Sequence, residues 1–79
     1  MAAKAFVLIE TQVGNSKKVV DKLKGLEGVK SADAVTGPYD VIAVVESDSL
    51  NDLGVLVTGK INPIIGISRT VTCLTIRAE

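Results

Sequence analysis

The sequence predicts an α+β domain with the element order βαββαβ, and three observations support this class. Short runs rich in Val, Ile, Leu and Ala alternate with two segments whose apolar residues recur at helical spacing. The chain has only 79 residues, which is the size of one small domain. Its two halves also resemble each other. A duplicated split βαβ unit gives a ferredoxin-like fold: an antiparallel sheet of order 4-1-3-2 with both helices on one face.

The four predicted strands are β-branched or otherwise apolar runs that are too short for helices. They cover residues 5–11, 30–36, 41–46 and 67–77. The third run follows a turn that contains Gly37 and Pro38, and the fourth follows Gly66. Glycine and proline at these positions indicate chain reversals between strands.

The first predicted helix covers residues 16–26, and Gly25 and Gly28 weaken and then end it. The second begins after Ser49, a plausible N-cap, and ends at Asn62-Pro63. In each helix, apolar residues at helical spacing form the face that should pack on the sheet. These residues are Val19, Val20, Leu23 and Leu26 in the first helix and Leu50, Leu53, Leu56, Val57 and Ile61 in the second.

An internal repeat supports the duplicated arrangement. The run "FVLIE" at residues 6–10 matches "IAVVE" at residues 42–46. The run "EGVKSADAV" at residues 27–35 matches "IGISRTVTC" at residues 65–73. Each half therefore reads as strand, helix, a glycine followed by a hydrophobic residue, and strand.

The central strands are predicted to be apolar on both faces. In residues 41–46, Val41, Ala43 and Val45 point one way, while Ile42 and Val44 point the other. Helices cover only one face of this fold, and a monomer would expose an apolar patch on the other face. We therefore expect an obligate homodimer that pairs sheet against sheet, an assembly of the dimeric α+β barrel type. Several such dimers could also assemble into a ring.

Composition argues against several functional classes. Nine basic and nine acidic residues give no net charge, which argues against direct binding to nucleic acid. The chain has no histidine, no recognisable nucleophile setting and no cluster with metal-ligand spacing. We therefore expect no enzymatic activity, no metal and no cofactor. Asp48 and Asp52 near the second helix start suit the helix dipole, with metal binding as the alternative.

Location is predicted from the cysteine count and from hydropathy. Cys73 is the only cysteine, which fits a reducing compartment, and we expect it to be a buried strand residue. Residues 1–4 lead directly into strand-like sequence and do not resemble a signal peptide. No apolar run approaches the roughly 18 residues of a membrane span. These features favour a cytoplasmic protein that does not contact a membrane.

The turn "VTGPYD" at residues 35–40 has two interpretations. Gly37 and Pro38 are explained by hairpin geometry alone, because proline fixes φ and glycine permits unusual backbone angles. Tyr39 and Asp40 are not required by a hairpin, although an aspartate can cap its own turn. A purely structural turn and a small-molecule site both remain open.

Topology places a second polar group near this turn. In a 4-1-3-2 sheet, Thr70 and Thr72 lie toward the same end as Asp40, two to three strand spacings away within one subunit. A ligand would therefore be held more easily between subunits. Backbone N–H groups near Gly37, Tyr39 and Asp40 suit a carboxylate, while the Asp40 carboxylate and threonine hydroxyls suit an ammonium group. A free amino acid has both groups.

The whole chain resembles the effector-binding domain of the Lrp/AsnC family of transcription regulators. The resemblance rests on "GVKSADAVTGPYDVIAVVE", "LNDLGVLVTGKINPIIGI" and "SRTVTCLTI". It implies a dimer formed through the sheet, larger rings such as octamers, and amino acids bound between dimers. The site residues that it implies are Gly37, Pro38, Tyr39, Asp40, Thr70 and Thr72.

One departure from the family concerns DNA binding. Family regulators carry an N-terminal helix-turn-helix, and only four residues precede the first predicted strand here. The chain, residues 1–79, therefore resembles a stand-alone effector domain. We consider three hypotheses: an amino-acid-sensing oligomeric module, an interaction subunit that co-assembles with full-length Lrp/AsnC regulators, and a small dimeric α+β barrel enzyme.

Overall fold

The computed structural model describes residues 2–76 and contains four strands and two helices in the predicted order. The strands and helices are β1 (Ala3–Thr11), α1 (Ser16–Lys24), β2 (Val29–Ala34), β3 (Val41–Ser47), α2 (Leu50–Leu56) and β4 (Ile67–Leu74). A π-helical segment, Val57–Ile61, continues directly from α2. Within residues 2–76, no helix has the length and apolar character that crossing a membrane requires.

The four strands form one antiparallel sheet in the order β2-β3-β1-β4. This is the predicted order 4-1-3-2 read from the other edge, so the predicted ferredoxin-like fold is confirmed. β1 and β3 are the central strands, and β2 and β4 form the edges. The last strand ends at Leu74, and its predicted end, residue 77, lies outside the described residues.

The core lies between one face of the sheet and the helices. Alternate residues of the central strands are completely buried there, as the sequence predicts. The strand residues of this core are Ala5, Val7, Ile9, Ala32, Val41, Ala43 and Val45, and the helical ones are Val19, Leu23, Leu53, Leu56, Val57 and Ile61. Apolar burial of this kind is the main favourable term in folding.

The internal repeat is visible in the backbone. Gly28 and Gly66 occupy matching positions before β2 and β4, and both have positive φ, +96° and +106°. The Glu46 N–H donates to the Gly28 carbonyl oxygen, and the Gln12 N–H donates to the Gly66 carbonyl oxygen, both over 2.8 Å. The Gly28 carbonyl thus bonds to β3, and the Gly66 carbonyl bonds to the residue that directly follows β1, so each glycine connects its half of the chain to the other half.

Two expectations about burial are wrong. Leu50 is 60% exposed, because it is the first residue of α2 and lies beside the edge strand β4, where only one side is covered. Cys73 is exposed and not buried. It pairs in register with Phe6, so it lies on the sheet face that the helices do not cover.

Candidate functional site

The turn between β2 and β3 is a closed hairpin connection on the surface. The Val35 N–H donates to the Asp40 carbonyl oxygen over 2.9 Å and closes the turn. Gly37 has φ +131°, which side-chain-bearing residues rarely adopt, while its Cβ position is open space. Pro38 is exposed and Tyr39 is half-buried. Glycine is therefore needed here for the backbone angle and not for a close approach.

Asp40 ties this hairpin to the end of the central strand β1. Its backbone N–H donates to the Ile9 carbonyl oxygen over 2.9 Å. Its carboxylate oxygen Oδ2 accepts a hydrogen bond from the Thr11 N–H over 2.8 Å. The sequence suggested that an aspartate could cap its own turn. In the structure, the Asp40 side chain instead accepts a hydrogen bond from the backbone at the end of β1.

Thr11 connects Asp40 to the first helix. The β1–β4 register shifts between Glu10 and Thr11, which marks an irregularity at this strand end. The Thr11 hydroxyl lies 3.1 Å from the Ser16 hydroxyl, at the first residue of α1. Sequence reasoning did not identify Thr11 or Ser16 as site residues. The signal that could have found them is topological, since the connection after β1 leaves the sheet at the same end as this hairpin.

Thr70 lies on the other side of β1 from the hairpin. It pairs in register with Ile9, the residue whose carbonyl oxygen accepts from Asp40. Because both contact Ile9, Asp40 and Thr70 lie on opposite sides of the same end of β1. Neighbouring strands are about 4.8 Å apart, so about two strand spacings separate the two residues. The Thr70 hydroxyl donates to Asn62 Oδ1 over 2.8 Å. Asn62 follows the π-helical segment and was not among the predicted site residues.

Thr72 is placed further from the hairpin than Thr70. It pairs in register with Val7 and lines a hollow of about 230 Å³ between β4 and α2. The other lining residues are Leu50, Leu53, Gly54, Val57, Thr58 and Leu74. The hairpin that contains Gly37, Pro38, Tyr39 and Asp40 and the residue Thr70 therefore lie at the same end of β1, whereas Thr72 lines the α2–β4 hollow.

A larger hollow of about 500 Å³ lies at the start of α2, remote from the predicted site residues. Asp48 and Asp52 both line it. The Asp52 N–H donates to the Ser49 hydroxyl over 3.1 Å, which confirms Ser49 as the N-cap. Among residues 2–76, no three His, Cys, Asp or Glu side chains are grouped so that they could hold a metal ion. Asp52 lies in the first turn of α2, where its carboxylate suits the helix dipole.

The sheet face opposite the helices is apolar at its centre. Phe6 pairs with Val44 on one side and Cys73 on the other, and Leu8 pairs with Ile42 and Val71. Phe6 is 39% exposed, and Leu8, Ile42, Val44 and Val71 are half-buried. We call these six residues the open face. The expectation that both faces of the central strands are apolar is confirmed.

Charged side chains border the open face. Arg69 Nη1 lies 3.6 Å from Glu10 Oε2, across the β1–β4 pairing. At the other end of β1, Lys4 Nζ lies 5.6 Å from the centroid of the Phe6 ring. An apolar centre with a polar border is the usual composition of a surface at which two proteins associate.

Comparison with known protein families gives a match to the Lrp/AsnC ligand binding domain over residues 4–79. Comparison with curated proteins gives no match. Among solved structures, FFRP-DM1 is 39% identical with a TM-score of 0.90, and the match covers 94% of this chain and 99% of that chain. The family match and this neighbour cover nearly the whole length of the chain.

Two longer proteins contain the same fold. E. coli AsnC is 25% identical with a TM-score of 0.89, and the match covers 96% of this chain but 52% of AsnC. The transcriptional regulator NMB0573 from Neisseria meningitidis, determined as a complex with L-Met, is 14% identical with a TM-score of 0.84. That match covers 95% of this chain and 50% of NMB0573, and at this identity it shows the fold alone. With the match over residues 4–79, the chain belongs to the Lrp/AsnC ligand-binding domain family.

Proposed function

We propose that this domain is a regulatory module that binds a free amino acid and catalyses no reaction. The observation that carries the proposal is the match to a ligand-binding family over residues 4–79. NMB0573, which shares the fold over 50% of its own chain, was determined as a complex with L-Met, and this supports an amino acid as the class of ligand. Of the residues predicted from the sequence, the proposed ligand contacts are Gly37, Pro38, Tyr39 and Thr70. Asp40 lies at the same end of β1, and Thr72 lies apart from them in the α2–β4 hollow.

The end of the sheet that carries the hairpin offers polar groups that suit the carboxylate and the ammonium group of an amino acid. Within residues 2–76, the backbone N–H groups of Gly37 and Tyr39 donate to no other backbone or side-chain acceptor. Such unpaired N–H groups in a turn are suitable donors to a carboxylate. On the other side of Ile9, Thr70 and Asn62 form a hydrogen-bonded pair of polar side chains. A hydroxyl and an amide together provide both donors and acceptors.

The proposed functional form is an oligomer of this chain. The open face is apolar at its centre and charged at its border, which favours a homodimer that pairs sheet against sheet. The hairpin, in contrast, projects from one end of the sheet, with Thr36, Gly37 and Pro38 exposed. A second dimer that packs against this end would enclose a ligand that one chain alone leaves open to water. Repetition of this contact closes a ring of dimers, such as an octamer.

Regulation follows from mass action in this arrangement. A ligand that binds only where two dimers meet stabilises the ring relative to separate dimers. The stabilisation grows with ligand concentration relative to the dissociation constant. The amino acid concentration is thereby converted into an assembly state, without any covalent chemistry.

Isothermal titration of the purified chain with each of the twenty amino acids tests the ligand. We expect at least one L-amino acid to bind at millimolar concentration or below, and its D-enantiomer to bind more weakly. Light scattering with and without that amino acid should show a larger assembly in its presence. Absence of binding by all twenty at millimolar concentration would overturn the ligand proposal.

A second candidate function is an interaction subunit for longer regulators of the same family. It is favoured by the AsnC comparison, because the shared fold accounts for 52% of that longer chain. The open face could then pair with the corresponding domain of a full-length regulator. Affinity capture from the native cell distinguishes the two functions, since a sensor acting alone requires no such partner.

A further inference from the structure

We propose that Asp40 is a positioning residue, whose carboxylate holds the hairpin against β1 and does not bind the ammonium group of the ligand. This inference rests on the proposed function, because it concerns the amino-acid site at the same hairpin. The Asp40 carboxylate, which would suit the ammonium group of the ligand, instead makes its contact within the chain, with β1.

Asp40 makes three hydrogen bonds that all fix the position of the turn. Its carbonyl oxygen accepts from the Val35 N–H, and its own N–H donates to the Ile9 carbonyl oxygen, each over 2.9 Å. Its Oδ2 accepts from the Thr11 N–H over 2.8 Å. The first bond closes the hairpin, and the other two attach it to β1. Asp40 therefore connects the turn to a central strand by both its backbone and its side chain.

The Thr11 N–H needs this acceptor because of its place in the sheet. The β1–β4 register is interrupted between Glu10 and Thr11, and the Thr11–Asp40 bond is partly buried. A partly buried N–H without a partner is costly, and a carboxylate is the strongest side-chain acceptor available. The geometry thus explains an aspartate at position 40 without any ligand.

The contact also links the hairpin to the first helix. The Thr11 hydroxyl lies 3.1 Å from the Ser16 hydroxyl at the start of α1. Hairpin, central strand and helix are consequently joined through Thr11. The unpaired N–H groups of Gly37 and Tyr39 keep their orientation only while this attachment persists. Asp40 then acts on the ligand through the turn that it holds.

Two substitutions separate positioning from direct binding. Asp40→Asn removes the negative charge but keeps an oxygen that can accept from the Thr11 N–H, whereas Asp40→Ala removes both. We expect the amino acid with the largest heat in the titration series to bind Asp40→Asn within about threefold of the unmodified chain. We expect Asp40→Ala to bind it at least about tenfold more weakly, as loss of a charge-assisted hydrogen bond implies. Asp21→Asn and Asp21→Ala, on the exposed surface of α1, control for the change in charge.

Amide hydrogen exchange at Thr11, measured by NMR without ligand, gives a readout that does not depend on binding. We expect slow exchange in the unmodified chain and in Asp40→Asn, and faster exchange in Asp40→Ala. If Asp40→Ala does not fold, Asp40→Ser is the second variant. Its hydroxyl is too short to replace the carboxylate oxygen, so the same loss of affinity and faster Thr11 exchange are expected. If no amino acid binds the unmodified chain, the proposed function fails, while the exchange data still decide the role of Asp40. Equal loss of affinity in folded Asp40→Asn and Asp40→Ala, or unchanged Thr11 exchange in Asp40→Ala, would overturn the inference.

Discussion

Gly28 packs so closely against Leu56 that a Cβ atom on Gly28 would lie 2.9 Å from Leu56 Cδ2. It would also lie 3.2 Å from the Glu46 carbonyl oxygen, and Gly28 has φ +96°. Gly28→Ala should therefore lower the free energy of unfolding by about 2 kcal/mol or more, because backbone strain and a steric conflict act together. Urea denaturation followed by circular dichroism measures this change.

Gly54→Ala is the matched control for this prediction. Gly54 lies inside α2, and a Cβ atom there would meet nothing within 4 Å. Alanine is the better helix former, so this variant should be more stable by about 0.5–1 kcal/mol. Equal effects of the two substitutions would show that the Gly28–Leu56 contact does not constrain the fold.

Removal of the Ser49 hydroxyl should weaken the start of α2. This hydroxyl accepts from the Asp52 N–H over 3.1 Å, and loss of such a cap typically costs about 1 kcal/mol. Asn15 occupies the equivalent position before α1, but its side chain makes no cap bond. Ser49→Ala should thus destabilise the domain clearly more than Asn15→Ala in thermal unfolding. The reverse order would contradict the cap assignment.

A charge at the centre of the open face should separate the proposed dimer. Val44 pairs with Phe6 there, and burial of an unpaired lysine at this position is costly. Val44→Lys is expected to be monomeric in light scattering at micromolar concentration, with unchanged circular dichroism. Val55→Lys, the same change at an exposed position on α2, should leave the dimer intact. A stable monomer of the unmodified chain would refute the proposed pairing.

Cys73 provides an independent chemical measure of the same pairing. It is exposed in the single chain but lies beside Phe6 on the open face. If two sheets pack together, a thiol reagent such as DTNB should modify Cys73 slowly in the native protein. Modification should be fast in Val44→Lys. Equally fast modification in both proteins would mean that the open face remains accessible to water.

The Thr70 hydroxyl should contribute to amino-acid affinity. Thr70→Val keeps the shape of the side chain but removes the hydrogen bond to Asn62 Oδ1, so affinity should fall by about fivefold or more. Thr75→Val is the control, because the Thr75 hydroxyl bonds to the Lys4 carbonyl oxygen at the other end of β1. Titration with the amino acid that binds best measures both. Equal affinities would remove Thr70 from the proposed site.

The fold was predictable because the sequence carries its pattern twice. Continuous apolar runs in "FVLIE" and "IAVVE" identified both central strands and both of their apolar faces. The glycines before β2 and β4 marked equivalent points in the two halves. Burial beside the edge strand β4 was not predictable in the same way, because an apolar run does not reveal how much of an edge strand its neighbours cover. Leu50 and Cys73 both lie beside or on the edge strand β4, and both predictions of burial fail there.

Helical periodicity also did not reveal the π-helical segment Val57–Ile61. Its bond from the Asn62 N–H to the Val57 carbonyl oxygen spans five residues, whereas the spacing of Leu53, Leu56, Val57 and Ile61 is compatible with an ordinary α-helix. Asn62 follows this segment and meets Thr70. Its contact with the predicted site residue was therefore missed.

The position of the hairpin was predictable from its glycine, proline and aspartate. The hydrogen-bond partner of the Asp40 side chain was not predictable. That partner is a backbone N–H at an irregularity in β1, 29 residues away in the chain. Backbone groups have no signature in the sequence, since every residue except proline carries the same N–H. Such contacts are found only when the strand register is known.

The strand order has a consequence for how the chain folds. Neither half can form a sheet by itself, because β3 and not β1 is the neighbour of β2, and β1 pairs with β3 and β4. The β1–β4 ladder joins residues as distant as Ala5 and Leu74, so it closes a loop of nearly the whole chain. Closure of such loops is entropically costly and slows folding. During synthesis on the ribosome, one edge of β1 consequently stays unpaired until β4 emerges. In this interval the risk of aggregation through pairing with a neighbouring chain is greatest.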